Sequence, residues 1–190
     1  MEKSFITIVA GLPRSGTSMM MQAIEAGGIP ALKDGIRKND EDNPKGYYEF
    51  EPVKKTKADS SWVKETEGKV VKMVYSLLYD LPDDHEYRVV FLQREMKEVL
   101  ASQKKMLERT GKKGASVGDE KLSELFKTQL EKFHKWIVEK ENFSIVLIDY
   151  KDMIESPIEQ AEKVNALLGN ILDKEGFASA VDPELYRNRT

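Results

Sequence analysis

Apolar positions recur along this chain with two different periods, and the switches between them mark out the elements. Residues 4–10 form a short run rich in β-branched side chains that ends at a glycine, the pattern of a strand buried in a parallel sheet. From residue 18 the period lengthens. Met20, Ala23, Ile24 and Gly27 fall at i, i+3, i+4 and i+7, which predicts a helix closing at the pair Gly27 and Gly28. Met19, Met20 and Met21 read as gap-filling core. Residues 28–50 keep neither period and carry Gly28, Pro30, Gly35, Pro44 and Gly46, so they are expected to form a loop large enough to belong to a site. A helix is predicted from Pro52 to about residue 64, with Trp62 near its end and Gly68 breaking the pattern; a strand follows over 69–74.

The second half repeats the alternation. A turn over 81–85, in which His85 reads as a surface residue, precedes a strand over 88–93. From Met96 a helix places Met96, Val99, Leu100, Met106 and Leu107 on one face, with Ser102 on its flank. Residues 110–119 are glycine-rich, include Lys112 and Lys113, and read as a flexible lid. Asp119 is expected to cap a long core helix carrying Leu122, Leu125, Phe126, Gln129, Leu130, Phe133, Trp136 and Ile137, with His134 packed beside that stripe. The last clear strand is 143–148. Ser156, Pro157 and Glu159 then supply N-cap, first helical position and capping-box partner for a helix with Ala161, Val164 and Leu168 inward, ended by Gly169. Residues 171–190 are weakly patterned, and Arg187 and Arg189 read as part of a solvated end. Strands alternating with helices predict a single α/β domain over 1–190. It has three layers, α/β/α, around a central and mainly parallel sheet whose carboxyl ends carry the ligand site.

Composition narrows the chemistry. The 190 residues suit one domain with one sizeable core. A net charge of -3 gives no global attraction to nucleic acid or to acidic membranes, so any anion site must be built locally. The absence of cysteine excludes a disulfide framework, a thiolate metal site and cysteine catalysis. No metal-ligand spacing or nucleic-acid motif is present. The first strand begins by Phe5, so no signal peptide is expected, and no apolar run approaches the roughly 18 residues of a membrane span.

The local anion site is residues 11–18, read G-L-P-R-S-G-T-S, between the first strand and the first helix. Gly11 and Gly16 let the backbone turn around an anion with no Cβ in the way, and the helix that starts near Gly16 aims its free N–H groups and positive dipole end at the same point. The spacing fits the phosphate-binding loop of nucleoside triphosphatases except that Thr17 stands where their lysine would be, while a cation, Arg14, sits earlier.

A loop of form G-x-P-R-S-G-T-S resembles the 5′-phosphosulfate loop of sulfotransferases that use 3′-phosphoadenosine 5′-phosphosulfate, in which a lysine or arginine occupies the place of Arg14. The family's second signature is an arginine closing a strand and a serine eight residues on, and Arg94 and Ser102 match it. The segment N-P-K-G-Y-Y-E over 43–49 looks like the N-P-x-G-Y-x-E stretch of a bacterial branch. The resemblance implies that Gly11, Pro13, Arg14, Ser15, Gly16, Thr17 and Ser18 bind the 5′ side, and Arg94 with Ser102 the 3′-phosphate. It also implies a base, for which Glu49 is the candidate and Glu51 and Asp34 are lesser ones. No metal is required, the product is 3′,5′-adenosine bisphosphate, and the acceptor is a small molecule, glycan or lipid. Secretory relatives are membrane-anchored, so a cytoplasmic location is expected. Two other classes stay open at this stage: a P-loop kinase of small molecules and a nucleotide-binding protein without catalysis. Oligomeric state and the acceptor's identity are left undetermined.

Overall fold

Four runs of β-branched and aromatic residues pair into one sheet. The structure is a computed structural model that describes residues 5–37, 46–111 and 117–185. Its strands are β1 (Phe5–Gly11), β2 (Val70–Val74), β3 (Glu86–Gln93) and β4 (Phe143–Asp149), hydrogen-bonded in the order β2-β1-β3-β4. All pairings are parallel, with Val9 opposite both Lys72 and Val90, and Val90 opposite Val146. Alternate side chains serve two cores. Ile6, Ile8, Ala10, Tyr87, Val89 and Phe91 face one, while Val9, Val90, Leu92 and Ile148 face the other.

Helices cover both faces. On the first, α2 (Met96–Thr110) contributes Met96, Val99 and Leu100, and α3 (Asp119–Val138) contributes Phe133 and Ile137. Phe133 stacks on Phe91 at 5.2 Å between ring centroids and meets Tyr75 edge-on at 5.4 Å. On the second face, α1 (Thr17–Ala26), α4 (Tyr150–Glu155), α5 (Pro157–Leu167) and α6 (Lys174–Ser179) pack together through Met20, Met21, Ile24, Met153, Ala161, Val164 and Phe177. The predicted three-layer α/β/α domain is therefore observed, with a wholly parallel sheet among the described residues. The helices that follow the adjacent strands β1 and β3 lie on opposite faces. Their loops are thus forced apart at the carboxyl ends of those strands, which opens a crevice there.

Several local expectations need correction. Residues 52–64 do not make one helix; two 3₁₀ turns, Glu51–Lys55 and Ser61–Thr66, stand there instead. Short polar side chains compete for the backbone in this segment: Thr56 Oγ1 donates to the Val53 carbonyl at 2.5 Å, and Asp59 Oδ1 accepts the Ser61 N–H at 2.9 Å. A second correction concerns α3, a core helix only in its carboxyl half. Leu125 is 50% exposed, and Leu122, Phe126 and Leu130 are only partly buried, because the neighbouring layer ends before the helix does. Gly118, not Asp119, is its N-cap, and Asp119 sits in the first turn where its charge suits the helix dipole. Ser156 is the N-cap of α5 but makes no side-chain capping bond; Asp149 caps α4 instead, accepting the Lys151 N–H at 2.8 Å. Within the weakly patterned tail, α6 forms because Phe177 is fully buried in the second core. Arg187 and Arg189 lie outside the described residues, as do Lys112, Lys113 and the Asn43, Pro44 and Lys45 of the N-P-x-G-Y-x-E stretch.

Candidate anion-binding site

The loop over 11–18 takes the shape its glycines permit. A Cβ on Gly11 would lie 2.6 Å from Ser15 Oγ and 2.9 Å from the Leu92 carbonyl, so β1 and β3 can close on the loop only with hydrogen there. Gly16, at φ 102°, is the N-cap of α1 and contributes no side-chain cap, which leaves the first-turn N–H groups directed at the crevice. Arg14 is left-handed too, at φ 74°, a conformation uncommon for a residue with a side chain. Ser15 holds the turn from inside: it is buried, and its hydroxyl donates to the Leu12 carbonyl at 2.7 Å.

A cavity of about 660 Å³ opens above this loop, and the expected site residues converge on its wall. Gly11, Pro13, Arg14, Gly16, Thr17, Ser18, Glu49, Arg94 and Ser102 all line it, whereas Ser15 does not. Of the three carboxylates weighed as a base, Glu49 reaches the cavity and Asp34 and Glu51 do not. Asp34 instead ties the loop together by accepting the Glu51 N–H at 2.6 Å and the Ile36 N–H at 2.9 Å. His134 packs edge-on against Phe91 at 5.1 Å, away from the cavity. Burial holds its imidazole below the ordinary value.

Helix α2 grips the loop. Arg14 Nε donates to Ser102 Oγ at 2.9 Å, Arg94 Nη1 donates to the Arg14 carbonyl at 3.3 Å, and Gln103 Nε2 donates to the Pro13 carbonyl at 3.3 Å. Ser102, only 3% exposed, is no ordinary surface serine. Arg94 follows β3 directly, and its guanidinium lies over the Tyr150 ring at 4.1 Å while Nε is paired with Glu98 at 2.8 Å.

Sequence reasoning passed over several cavity residues, chief among them Lys72. It is the polar interruption of the apolar strand β2, V-V-K-M-V, and that interruption was the available signal. Its Nζ donates to Ser18 Oγ at 3.3 Å and to the Tyr47 carbonyl. Burial pushes its ammonium down to about 8; Glu49 opposes that shift, and Arg37, Lys54 and Arg14 add to it. Lys105 and Arg109, three and seven residues beyond Ser102, bring the same face of α2 to the cavity. Burial works to raise the Glu49 carboxyl, but hydrogen bonds from Lys54 and Arg37 and the charge of Lys72 outweigh it and leave Glu49 below the ordinary value. Arg37 in turn stacks over the Tyr47 ring at 3.4 Å.

These charges set a pH dependence. An anion beside Lys72 Nζ favours its ammonium form, so binding above pH 8 must take up a proton. Below pH 8 the lysine is charged in both free and bound protein, and the affinity is level. Above pH 8 the affinity for a phosphate ligand is expected to fall by up to about tenfold per pH unit, and the fall should vanish in Lys72→Met. Titration calorimetry at pH 7, 8 and 9 checks this; an affinity that is flat to pH 9 in the parent protein would refute it.

Among the described residues no group of three or more His, Cys, Asp and Glu side chains gathers as a metal site, and no helix is long and apolar enough to cross a membrane. No protein-family model matches this sequence, and no curated protein matches it. Solved structures do share its shape. A sulfotransferase from Alicyclobacillus acidocaldarius is similar with a TM-score of 0.50, at 12% identity over 87% of this chain and 81% of that one. The sulfotransferase domain from the curacin biosynthetic pathway follows at 0.48, with 16% identity over 99% and 88%. An unliganded sugar kinase from Janibacter sp. HTCC2649 reaches 0.44, with 11% identity over 97% and 99%. At these identities a likeness speaks to architecture alone, and on that ground the chain shares the α/β fold of the Alicyclobacillus sulfotransferase.

Proposed function

We propose that this protein transfers a sulfuryl group to a hydroxyl or amine of a small-molecule, glycan or lipid acceptor, in the cytoplasm. The observation that carries the proposal is the 2.9 Å bond from Arg14 to Ser102, which joins the strand-to-helix loop to a serine 88 residues away on one cavity wall. The two sequence signatures for the two ends of 3′-phosphoadenosine 5′-phosphosulfate thus meet at one place. The residues fit that molecule: an uncapped helix start and the cations Arg14, Lys72, Arg94, Lys105 and Arg109 face a cavity in which Glu49 is the carboxylate.

When bound, 3′-phosphoadenosine 5′-phosphosulfate supplies the sulfuryl group, and 3′,5′-adenosine bisphosphate is the product. Thr17, Ser18 and the first N–H groups of α1 hold the 5′-phosphate. Arg14 and Lys72 stabilise the negative charge that grows on the oxygen between sulfur and phosphorus as the bond lengthens. Arg94 and Ser102 hold the 3′-phosphate, for which a guanidinium is well shaped. Glu49 accepts the acceptor's proton on its carboxylate. Held below the ordinary value by Lys54 and Arg37, it does so late, once bonding to sulfur has made that proton acidic. The scheme calls for no divalent metal.

Titration calorimetry with 3′,5′-adenosine bisphosphate, and separately with Mg-ATP, tests this reading. The bisphosphate is expected to bind tightly and to weaken in both Arg94→Ala and Ser102→Ala, with little binding of Mg-ATP. Preference for Mg-ATP, or bisphosphate binding indifferent to both substitutions, would favour a kinase and overturn the proposal.

A further inference from the structure

We infer that Glu98 is a positioning residue for the anion-binding loop, acting through Arg94. Its side chain is 4% exposed and stands one helical turn beyond Arg94, whose side chain is 7% exposed. Both charges are thus out of water, and they meet through Arg94 Nε and Glu98 Oε2 at 2.8 Å. The same guanidinium reaches the loop, where Nη1 donates to the carbonyl of Arg14, the residue held at φ 74°. Ser102, four residues after Glu98 and on the same face of α2, takes the side chain of Arg14. The backbone of Arg14 is therefore held by the arginine just before this helix, and its guanidinium by the serine eight residues further on.

The consequence concerns affinity at the loop. With the Glu98 carboxylate gone, the Arg94 guanidinium loses the bond that holds Nε, and its Nη1 is less firmly set against the loop. The bond from Nη1 to the Arg14 carbonyl is then weakened, and the left-handed turn loses one of its holds beside the Ser15 bonds to the Leu12 carbonyl. A loop relaxed in this way no longer presents its N–H groups as a set. Glu98 thus governs the 5′ side of the site through its bond to the arginine assigned to the 3′ side.

This rests on residues 11–18 being the anion site of the proposed reading, but not on which nucleotide binds. Calorimetry on the full chain with two probes, 3′,5′-adenosine bisphosphate and inorganic pyrophosphate, separates the two questions. Glu98→Ala should weaken both probes by about tenfold or more, the size of one lost charge-assisted bond, while Glu98→Gln, whose amide oxygen still accepts from Arg94 Nε, should recover most of the loss. A role in stability alone would lower the melting temperature and leave pyrophosphate affinity of the folded protein within twofold of the parent, which overturns the inference. Should Glu98→Ala fail to fold by circular dichroism, Glu98→Asp decides: it keeps the charge but is one methylene short, and unchanged pyrophosphate affinity in it overturns the inference equally. A parent that binds pyrophosphate but not the bisphosphate sinks the nucleotide reading and leaves the loop test intact; a parent that binds neither sinks both.

Discussion

Replacing Arg14 by alanine is expected to lower turnover in the proposed transfer by about 100- to 1,000-fold, the scale of removing one preorganised donor from developing charge. The argument is one of position. Arg14 lies in the loop itself, on the cavity wall, with Nε fixed by Ser102 and its main chain fixed by Arg94. A cation held in this way needs no reorganisation when the bond to sulfur lengthens, so its contribution belongs to the transition state more than to the bound donor. The loss should therefore appear mainly in kcat, with a smaller change in KM. Lysine restores the charge but not the fork that reaches Ser102, so Arg14→Lys should recover only part of the rate. Initial rates with labelled donor measure this; an alanine variant within threefold of the parent in kcat would show that the charge on the leaving oxygen is met elsewhere.

Gly16→Ala carries the largest expected cost to stability. A Cβ at that position would stand 2.3 Å from Tyr150 Cδ2 and 2.7 Å from Cε2, and the backbone there is at φ 102°. Tyr150 cannot move aside cheaply. It is buried, begins α4, and supports the Arg94 guanidinium on its ring face at 4.1 Å. Overpacking and backbone strain together cost about 3 kcal/mol, and for a chain of this length each 1 kcal/mol lowers the melting temperature by roughly 2–4 °C. A thermal melt should thus fall by about 6–12 °C. Binding of 3′,5′-adenosine bisphosphate should weaken in parallel, since α1 starts at this residue and Tyr150 backs Arg94. A variant that melts with the parent would mean that the loop and α4 are not packed as described.

Both residues stand where strictly local signals were strong. The strand read over 4–10, the two glycines and the helix behind them depend on neighbours a few positions away, and spacing is enough to read them. Arg94 and Ser102 were legible through the resemblance to the sulfotransferase signature, whose arginine at a strand end and serine eight residues on they match. The stripe on α3 was legible as a stripe, but periodicity cannot say how far the facing layer extends, so Leu125 was assigned to a core that stops short of it. The segment over 52–64 misled for another reason: Thr56, Asp59 and the buried Trp62, whose Nε1 donates to Thr56 Oγ1 at 3.2 Å, settle its backbone through contacts that a helical wheel does not contain.

What the sequence determined by itself was the order of the four strands and the glycine loop with its departure at Thr17. The tertiary structure alone decided which distant groups join it. Lys72 comes from the strand beside β1, and its interruption of an apolar run acquires meaning only when parallel pairing sets Val9 opposite it and Nζ beside Ser18. Glu98 looks like one more acid on a charged helix until Arg94 is seen buried against it. Glu49 is one carboxylate in a charged loop until Arg37 and Lys54 close on it. The physical reason is common to all three: burial and electrostatic pairing depend on distance in space, and chain spacing encodes such distance only within a single element or turn.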